Sequence, residues 1–229
     1  LVPNWDREAH GTVTMTQCLQ LSLNVCLADV AIAHLGDEKF YNYMQRFGLG
    51  HLTGIDLAGE EAGRLKLPDD SDYTIVELGI NSFGQGVSVT PIQMIMAGSA
   101  IANGGMMYRP HVLRATVFDG VQHDMPIELV GTPISAETAE TLESMLVTSL
   151  ENETSLPLVE GYLIAGKTGT AEIRHENTEL TNASFIGWGP VDDPQFIVYV
   201  WLHKPTESIW GSQTAAPVFK DVVQKLVLL

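Results

Sequence analysis

Basic residues are scarce in this chain: 12 Lys and Arg stand against 28 Asp and Glu in 229 residues, a formal charge of −16. Such a surface cannot neutralise a run of phosphates, which argues against nucleic acid and anionic lipid as partners of this segment. The acids are dispersed through Asp69-Asp70-Ser71-Asp72 and along Glu137 to Glu153, the pattern of a solvated face rather than of a binding tail. Cysteine is nearly absent, with only Cys18 and Cys26 present and no Cys-x-x-Cys pair. Two buried free thiols are expected, with a disulfide between them the alternative. The seven histidines lack metal-ligand spacing and no His-Glu-x-x-His occurs, so neither a metal nor another cofactor is expected. No apolar run approaches the ~18 residues of a membrane span, and the first residues lack a basic-then-apolar signal pattern. The chain begins at Leu1 without Met and reads as a piece of something longer. The missing anchor therefore says little about where the protein resides.

What is present is ordinary globular material, 45% hydrophobic and 17% charged, of a length that fits one domain. Helical apolar spacing runs over Thr14–Ser22 and resumes over Val25–His34, predicting two helices joined at Ser22-Leu23-Asn24. A third helix is expected over Asp37–Phe47, capped by Asp37 and stopped at Gly48, and the stretch Thr53–Gly59 reads as loop. Thr90-Pro91 opens a helix that ends near Asn103, and Ser135 opens another with Leu142, Met145, Leu146 and Leu150 on one face. From Tyr162 onward the pattern is extended: Tyr162–Thr170, Ala183–Trp188 and Phe196–Leu202, the last two joined by hairpin residues Gly189–Pro194. An amphipathic helix at Val218–Val227 closes the chain. Helices followed by a mostly antiparallel sheet capped by a C-terminal helix define an α+β fold.

The string with chemical content is Gly166-Lys167-Thr168-Gly169-Thr170, at the end of an extended segment. A Lys-Thr-Gly turns up by chance in about one chain of this length in twenty, so alone it is only suggestive. Its physics is coherent: a cation beside hydroxyls suits a carboxylate, and Gly169 leaves room for another backbone to approach. Ser22-Leu23-Asn24 is the only Ser-x-Asn, and between two helices Ser and Asn are first of all capping residues. A serine acyltransferase with these motifs also needs Ser-x-x-Lys, whose lysine lies one helical turn beyond the nucleophile. None of the six lysines has a serine three residues before it.

Taken in order, the motifs resemble the penicillin-binding proteins. His10-Gly-Thr-Val-Thr-Met-Thr16 leads into Leu21-Ser-Leu-Asn24, followed by Phe47-Gly-Leu-Gly50, Thr53-Gly-Ile-Asp-Leu57 and Ser82–Gln93 with Ile101-Ala-Asn-Gly104. Then come Ala165-Gly-Lys-Thr-Gly-Thr-Ala-Glu172, Ser184-Phe-Ile-Gly-Trp-Gly-Pro190 and Ala216-Pro-Val-Phe219. Each string is common; the ordered set, spanning nearly the whole chain, is specific. The Thr53–Leu57, Thr170–Glu172 and Phe185–Pro190 blocks look like the monofunctional class B enzymes.

This resemblance implies a β-lactamase/transpeptidase-like fold, incomplete at the N-terminus, with residues 1–229 forming the C-terminal portion of one transpeptidase domain. It implies a peptidoglycan D,D-transpeptidase working through an acyl-enzyme, with a stem peptide ending in D-Ala-D-Ala as substrate and β-lactam antibiotics as mimics. The nucleophilic serine would lie outside these residues, leaving this chain inactive alone. By motif, Ser22 would relay a proton, and Asn24 would bind the substrate amide. Lys167, Thr168, Gly169 and Thr170 would line the pocket, with the Thr170 N–H as one oxyanion donor. The parent would sit at the extracytoplasmic face of a bacterial membrane, touching lipid only through an N-terminal region absent here. A serine β-lactamase, a β-lactam sensor and a noncatalytic remnant remain the alternative readings.

Overall fold

The structure is a computed structural model describing residues 3–151, 159, 161–173 and 180–228. Its first helices follow the local capping chemistry. Helix α1 (Met15–Gln20) is closed by a capping box in which the Thr14 hydroxyl accepts from the Gln17 N–H and the Gln17 side chain accepts from the Thr14 N–H. Helix α2 (Asn24–Asp29) follows after a short turn. The expected continuous helix to His34 is broken there, because Val30–Leu35 widens into a π-helical turn that ends at Gly36, a left-handed residue with φ 74°. Helix α3 (Gly36–Arg46) begins one residue before Asp37, whose carboxylate accepts from the adjacent Glu38 N–H instead of capping the helix.

Two more helices build the subdomain that supports the sheet. Helix α4 (Ile75–Asn81), unanticipated in the sequence, has its own Thr74/Glu77 capping box. Its Leu78 is fully buried and packs with Ala31 and Tyr41. Helix α5 (Pro91–Ala102) starts as its sequence predicts, with Thr90 as cap and Pro91 in the first turn, where a missing N–H costs nothing. Gln93, in that first turn, is buried and donates to the carbonyls of His51 (2.6 Å) and Ala62 (2.9 Å). It thereby ties the loop before α4 to α5.

Between α5 and α6 lie four short strands that pair locally: β1 (Met107–Tyr108) with β4 (Leu129–Gly131), and β2 (Ala115–Phe118) with β3 (Val121–Asp124). The β2–β3 turn places Asp119 (φ 50°) and Gly120 (φ 76°) both in the left-handed region, as a two-residue type I′ hairpin demands. Helix α6 (Ala136–Glu151) is started by the Ser135 hydroxyl, which accepts from the Thr138 N–H at 3.2 Å.

The main sheet has the order β5-β6-β7, all antiparallel: β5 (Ala165–Glu172), β6 (Thr181–Gly189) and β7 (Phe196–His203). Registers pair Lys167 with Ile186 and Trp188 with Ile197. Helix α7 (Ala215–Leu226) lies on one face, where Phe219, Val223, Ala215 and Ala216 pack with Phe185, Val200 and Ile164. On the other face, Ile186 and Ile197 approach Gly98 of α5 so closely that a Cβ there would meet them at 2.9 and 2.8 Å. The α+β arrangement expected from the pattern is therefore the observed one.

The cysteines depart from expectation. Cys18 and Cys26 form a disulfide, not a pair of free thiols. The reason is the turn at 21–23 between α1 and α2, which brings the two Cα atoms to 6.0 Å, within bonding geometry.

Candidate active site

The site is assembled by α6, which touches both halves of it. Gln20 of α1 donates to the Thr148 carbonyl at 3.2 Å, and the buried Ser149 hydroxyl donates to the Gly166 carbonyl at 3.1 Å. The Trp188 indole N–H on β6 donates to the Glu143 carboxylate at 2.7 Å. The end of α1 and the start of β5 are thus fastened to one rigid helix.

The turn after α1 carries Ser22 in a left-handed conformation (φ 51°), uncommon for a residue with a side chain. Neither Ser22 nor Asn24 caps a helix: Leu23 occupies the N-cap of α2 without a side-chain bond, and its own side chain is buried. With Leu23 pointing inward as an anchor, Ser22 stands half-buried at the surface of the turn. There the Lys167 ammonium of β5 donates to the Ser22 hydroxyl, and lies 3.4 Å from the Thr168 hydroxyl. Residues 145 positions apart in sequence therefore meet in one hydrogen bond.

Among the described residues β5 is an edge strand, hydrogen-bonded to β6 on one side. Its glycines are there for close approach. A Cβ on Gly166 would meet the Ile186 carbonyl at 2.6 Å, and one on Gly169 would meet the Ser184 hydroxyl at 2.5 Å. Beyond the strand, the Gly211 N–H donates to the Thr170 hydroxyl at 3.1 Å. The Asn24 amide donates to the Pro3 carbonyl at 3.1 Å, and the Val25 N–H donates to the buried Asn4 side chain at 3.1 Å. The N-terminal segment therefore lies along the same turn.

The structure brings Ser22, Lys167 and Thr168 into one cluster, with Asn24 one turn away and Gly169 and Thr170 further along the strand. An open groove of about 840 Å3 lies beside this turn, lined by Asn4, His10, Met15, Leu23, Val25 and Val30. Neither Lys167 nor Thr170 lines it. Among the described residues no three His, Cys, Asp or Glu side chains converge as a metal set. Ser155 and Glu153 lie outside the described residues. Sequence reasoning missed Trp5 and Trp210, which flank the site and carry no motif signal.

A strand bearing Lys-Thr-Gly thus meets a helical turn bearing Ser-x-Asn through the Lys167–Ser22 bond, and the comparisons with known proteins place the chain in a family. The penicillin binding protein transpeptidase domain family matches residues 2–224. Stage V sporulation protein D of Bacillus subtilis is 36% identical over 231 residues, covering 96% of this chain and 35% of that protein. Penicillin binding protein 3 of Mycobacterium tuberculosis, in its apo form, superposes with a TM-score of 0.86 at 29% identity, over 99% of this chain and 54% of that one. The same protein complexed with ampicillin gives 0.85 at 28% identity, over 99% and 53%. The chain belongs to the penicillin binding protein transpeptidase domain family. It spans about a third of the length of the curated relatives it matches.

Proposed function

We propose that this chain is the C-terminal portion of one peptidoglycan D,D-transpeptidase domain, which cross-links stem peptides through an acyl-enzyme. The observation that carries the reading is the Lys167–Ser22 hydrogen bond, which joins the two signature motifs at one point. Ser22, held by Lys167, relays a proton to the leaving D-Ala nitrogen. Asn24 holds the substrate amide, and the Thr168 and Thr170 hydroxyls meet the terminal carboxylate beside Lys167 and Gly169. The Thr170 N–H supplies one oxyanion donor, of a kind whose loss raises a barrier by roughly 2.7–4 kcal/mol. The nucleophile and its lysine come from residues outside these 229, since no Ser-x-x-Lys is present. β-Lactams enter as mimics of D-Ala-D-Ala. The Cys18–Cys26 disulfide supports an oxidising compartment, in keeping with the extracytoplasmic face of a bacterial membrane.

The test is acylation of the protein containing this chain by a fluorescent penicillin, with and without Lys167→Ala. Loss of a charge-assisted bond at roughly 1.5–3 kcal/mol corresponds to a fall of about 10- to 150-fold in acylation efficiency. Unchanged kinetics in a folded variant remove Lys167 from the site. Rapid hydrolysis of the acyl-enzyme would favour a β-lactamase instead.

A further inference from the structure

Trp5 and Trp210 come from opposite ends of the chain and meet near the Ser22 turn, with ring centroids 5.8 Å apart and planes at 73°. Edge-to-face packing of this kind is attractive in its own right. The pair is not part of a core: Trp5 is 57% and Trp210 36% exposed. Large aromatic rings kept near solvent, outside all three hydrophobic clusters of the described residues, call for another reason.

Each ring is joined to one side of the site. The Trp5 indole N–H donates to the Leu21 carbonyl at 3.0 Å. That carbonyl belongs to the peptide entering Ser22, whose φ of 51° depends on how the peptide is oriented. A single donor on the Leu21 oxygen therefore helps hold the Ser22 turn in its uncommon conformation. Trp5 is itself aimed by a tight local structure: the Arg7 N–H donates to the Asn4 carbonyl, the Asn4 amide donates to the Glu8 carbonyl, and Asp6 pairs with His10. On the other side, the Trp210 carbonyl accepts from the Gln213 and Thr214 N–H groups, and the next residue is Gly211, whose N–H reaches the Thr170 hydroxyl. The Trp210 ring is thus rigidly placed with respect to β5.

We propose that the Trp5–Trp210 pair is a positioning brace that couples the Ser22 turn to strand β5 and sets the approach of the Ser22 hydroxyl to Lys167. It is a second, solvent-side link between the turn and the strand, made through contacts other than the Lys167–Ser22 bond it supports. The catalytic consequence rests on the transpeptidase reading above; the mechanical coupling does not.

Two measurements separate these layers. The first is hydrogen exchange of residues 19–24 in this chain, where the Ser22 and Leu23 N–H groups donate to Leu19 and Cys18. Trp5→Ala and Trp210→Ala should each accelerate exchange there, and the double variant should add little, because both cut the same link. If Trp210→Ala leaves that segment's exchange at the wild-type rate, the brace is overturned whatever the enzyme does. The second is acylation by a fluorescent penicillin, resolved into binding and chemical step, in the protein containing this chain. Either alanine variant should slow the chemical step on the order of tenfold with little change in ligand affinity, and Trp5→Phe, which keeps the ring but not the donor, should recover part of the loss. A loss confined to affinity would make the pair a ligand contact and overturn the positioning role. A wild-type protein that shows the exchange coupling but is never acylated would retain the brace and refute the transpeptidase reading.

Discussion

Replacing both Cys18 and Cys26 by Ala removes a link whose contribution follows from its position. The disulfide closes a loop with a sequence separation of 8. Restricting the unfolded chain over such a loop is worth about 2.5 kcal/mol at 25 °C from the loop-closure relation. Little else changes in the folded state: Cys18 is buried and small, so alanine fits its site, and Cys26 is only partly buried. For a domain of this size each kcal/mol moves the melting temperature by roughly 2–4 °C, so the double variant should melt about 5–10 °C lower. The assay is thermal unfolding followed by circular dichroism without reductant, together with thiol titration of the denatured wild-type chain. No titratable thiol and a lowered midpoint are expected. Two titratable thiols, or a midpoint within about 1 °C of wild type, would refute the closure and restore the free thiols the sequence favours.

Gly211→Ala should destabilise the fold by roughly 1–3 kcal/mol, because its Cβ would meet the Gly169 carbonyl at 2.4 Å and the Ser184 carbonyl at 2.6 Å; an unshifted melting curve would contradict the close approach. Gln93→Leu should cost about 2–4 kcal/mol by leaving the buried-side His51 and Ala62 carbonyls without their donor, read by urea unfolding. Hydrogen bonds from Lys66 and Thr74 hold Glu77 down to about 2, below its ordinary 4.5. Its contribution to stability is thus complete above about pH 4.5 and is lost as pH falls toward 2. Glu77→Gln should flatten the stability profile in that window, and an unchanged acid slope would show that Glu77 does not supply it. Incubated with penicillin alone, the 229 residues should show no mass increase, since no serine has a lysine three residues on; an adduct on Ser22 would overturn the proton-relay role.

Much of the fold was legible where local chemistry decides it. Thr90-Pro91 and Ser135 start their helices as capping rules require, and Gly189–Pro194 does join two antiparallel strands. The hairpin at 119–120 is also readable, since Asp119-Gly120 between Val117-Phe118 and Val121 is the type I′ signal, and both residues take the left-handed conformation. The π-helical turn at Val30–Leu35 leaves no such trace, because its apolar pattern resembles that of an unbroken helix. The site divides in the same way. Lys167 could be singled out from its own motif, yet nothing within one window of sequence says that it reaches Ser22. That meeting depends on α6 holding α1 and β5 together, and Trp5 and Trp210 are joined only by the same tertiary closure. The disulfide is the less favoured of two readings in the sequence because a spacing of eight becomes bondable only once the turn at 21–23 has brought the two cysteines together.

The Gly211 N–H on the Thr170 hydroxyl has a directional consequence. An oxygen that accepts a hydrogen bond on one lone pair turns its own hydrogen elsewhere, so this hydroxyl is poised to give a hydrogen bond more readily than to receive another. A group brought against Thr170 would therefore meet a donor. A negatively charged acceptor would suit that hydroxyl, while an amide N–H or an ammonium in the same place would face a hydrogen pointing at its own. The direction of this hydroxyl is therefore written partly by a glycine, through a backbone group that could not come near if residue 211 carried a side chain.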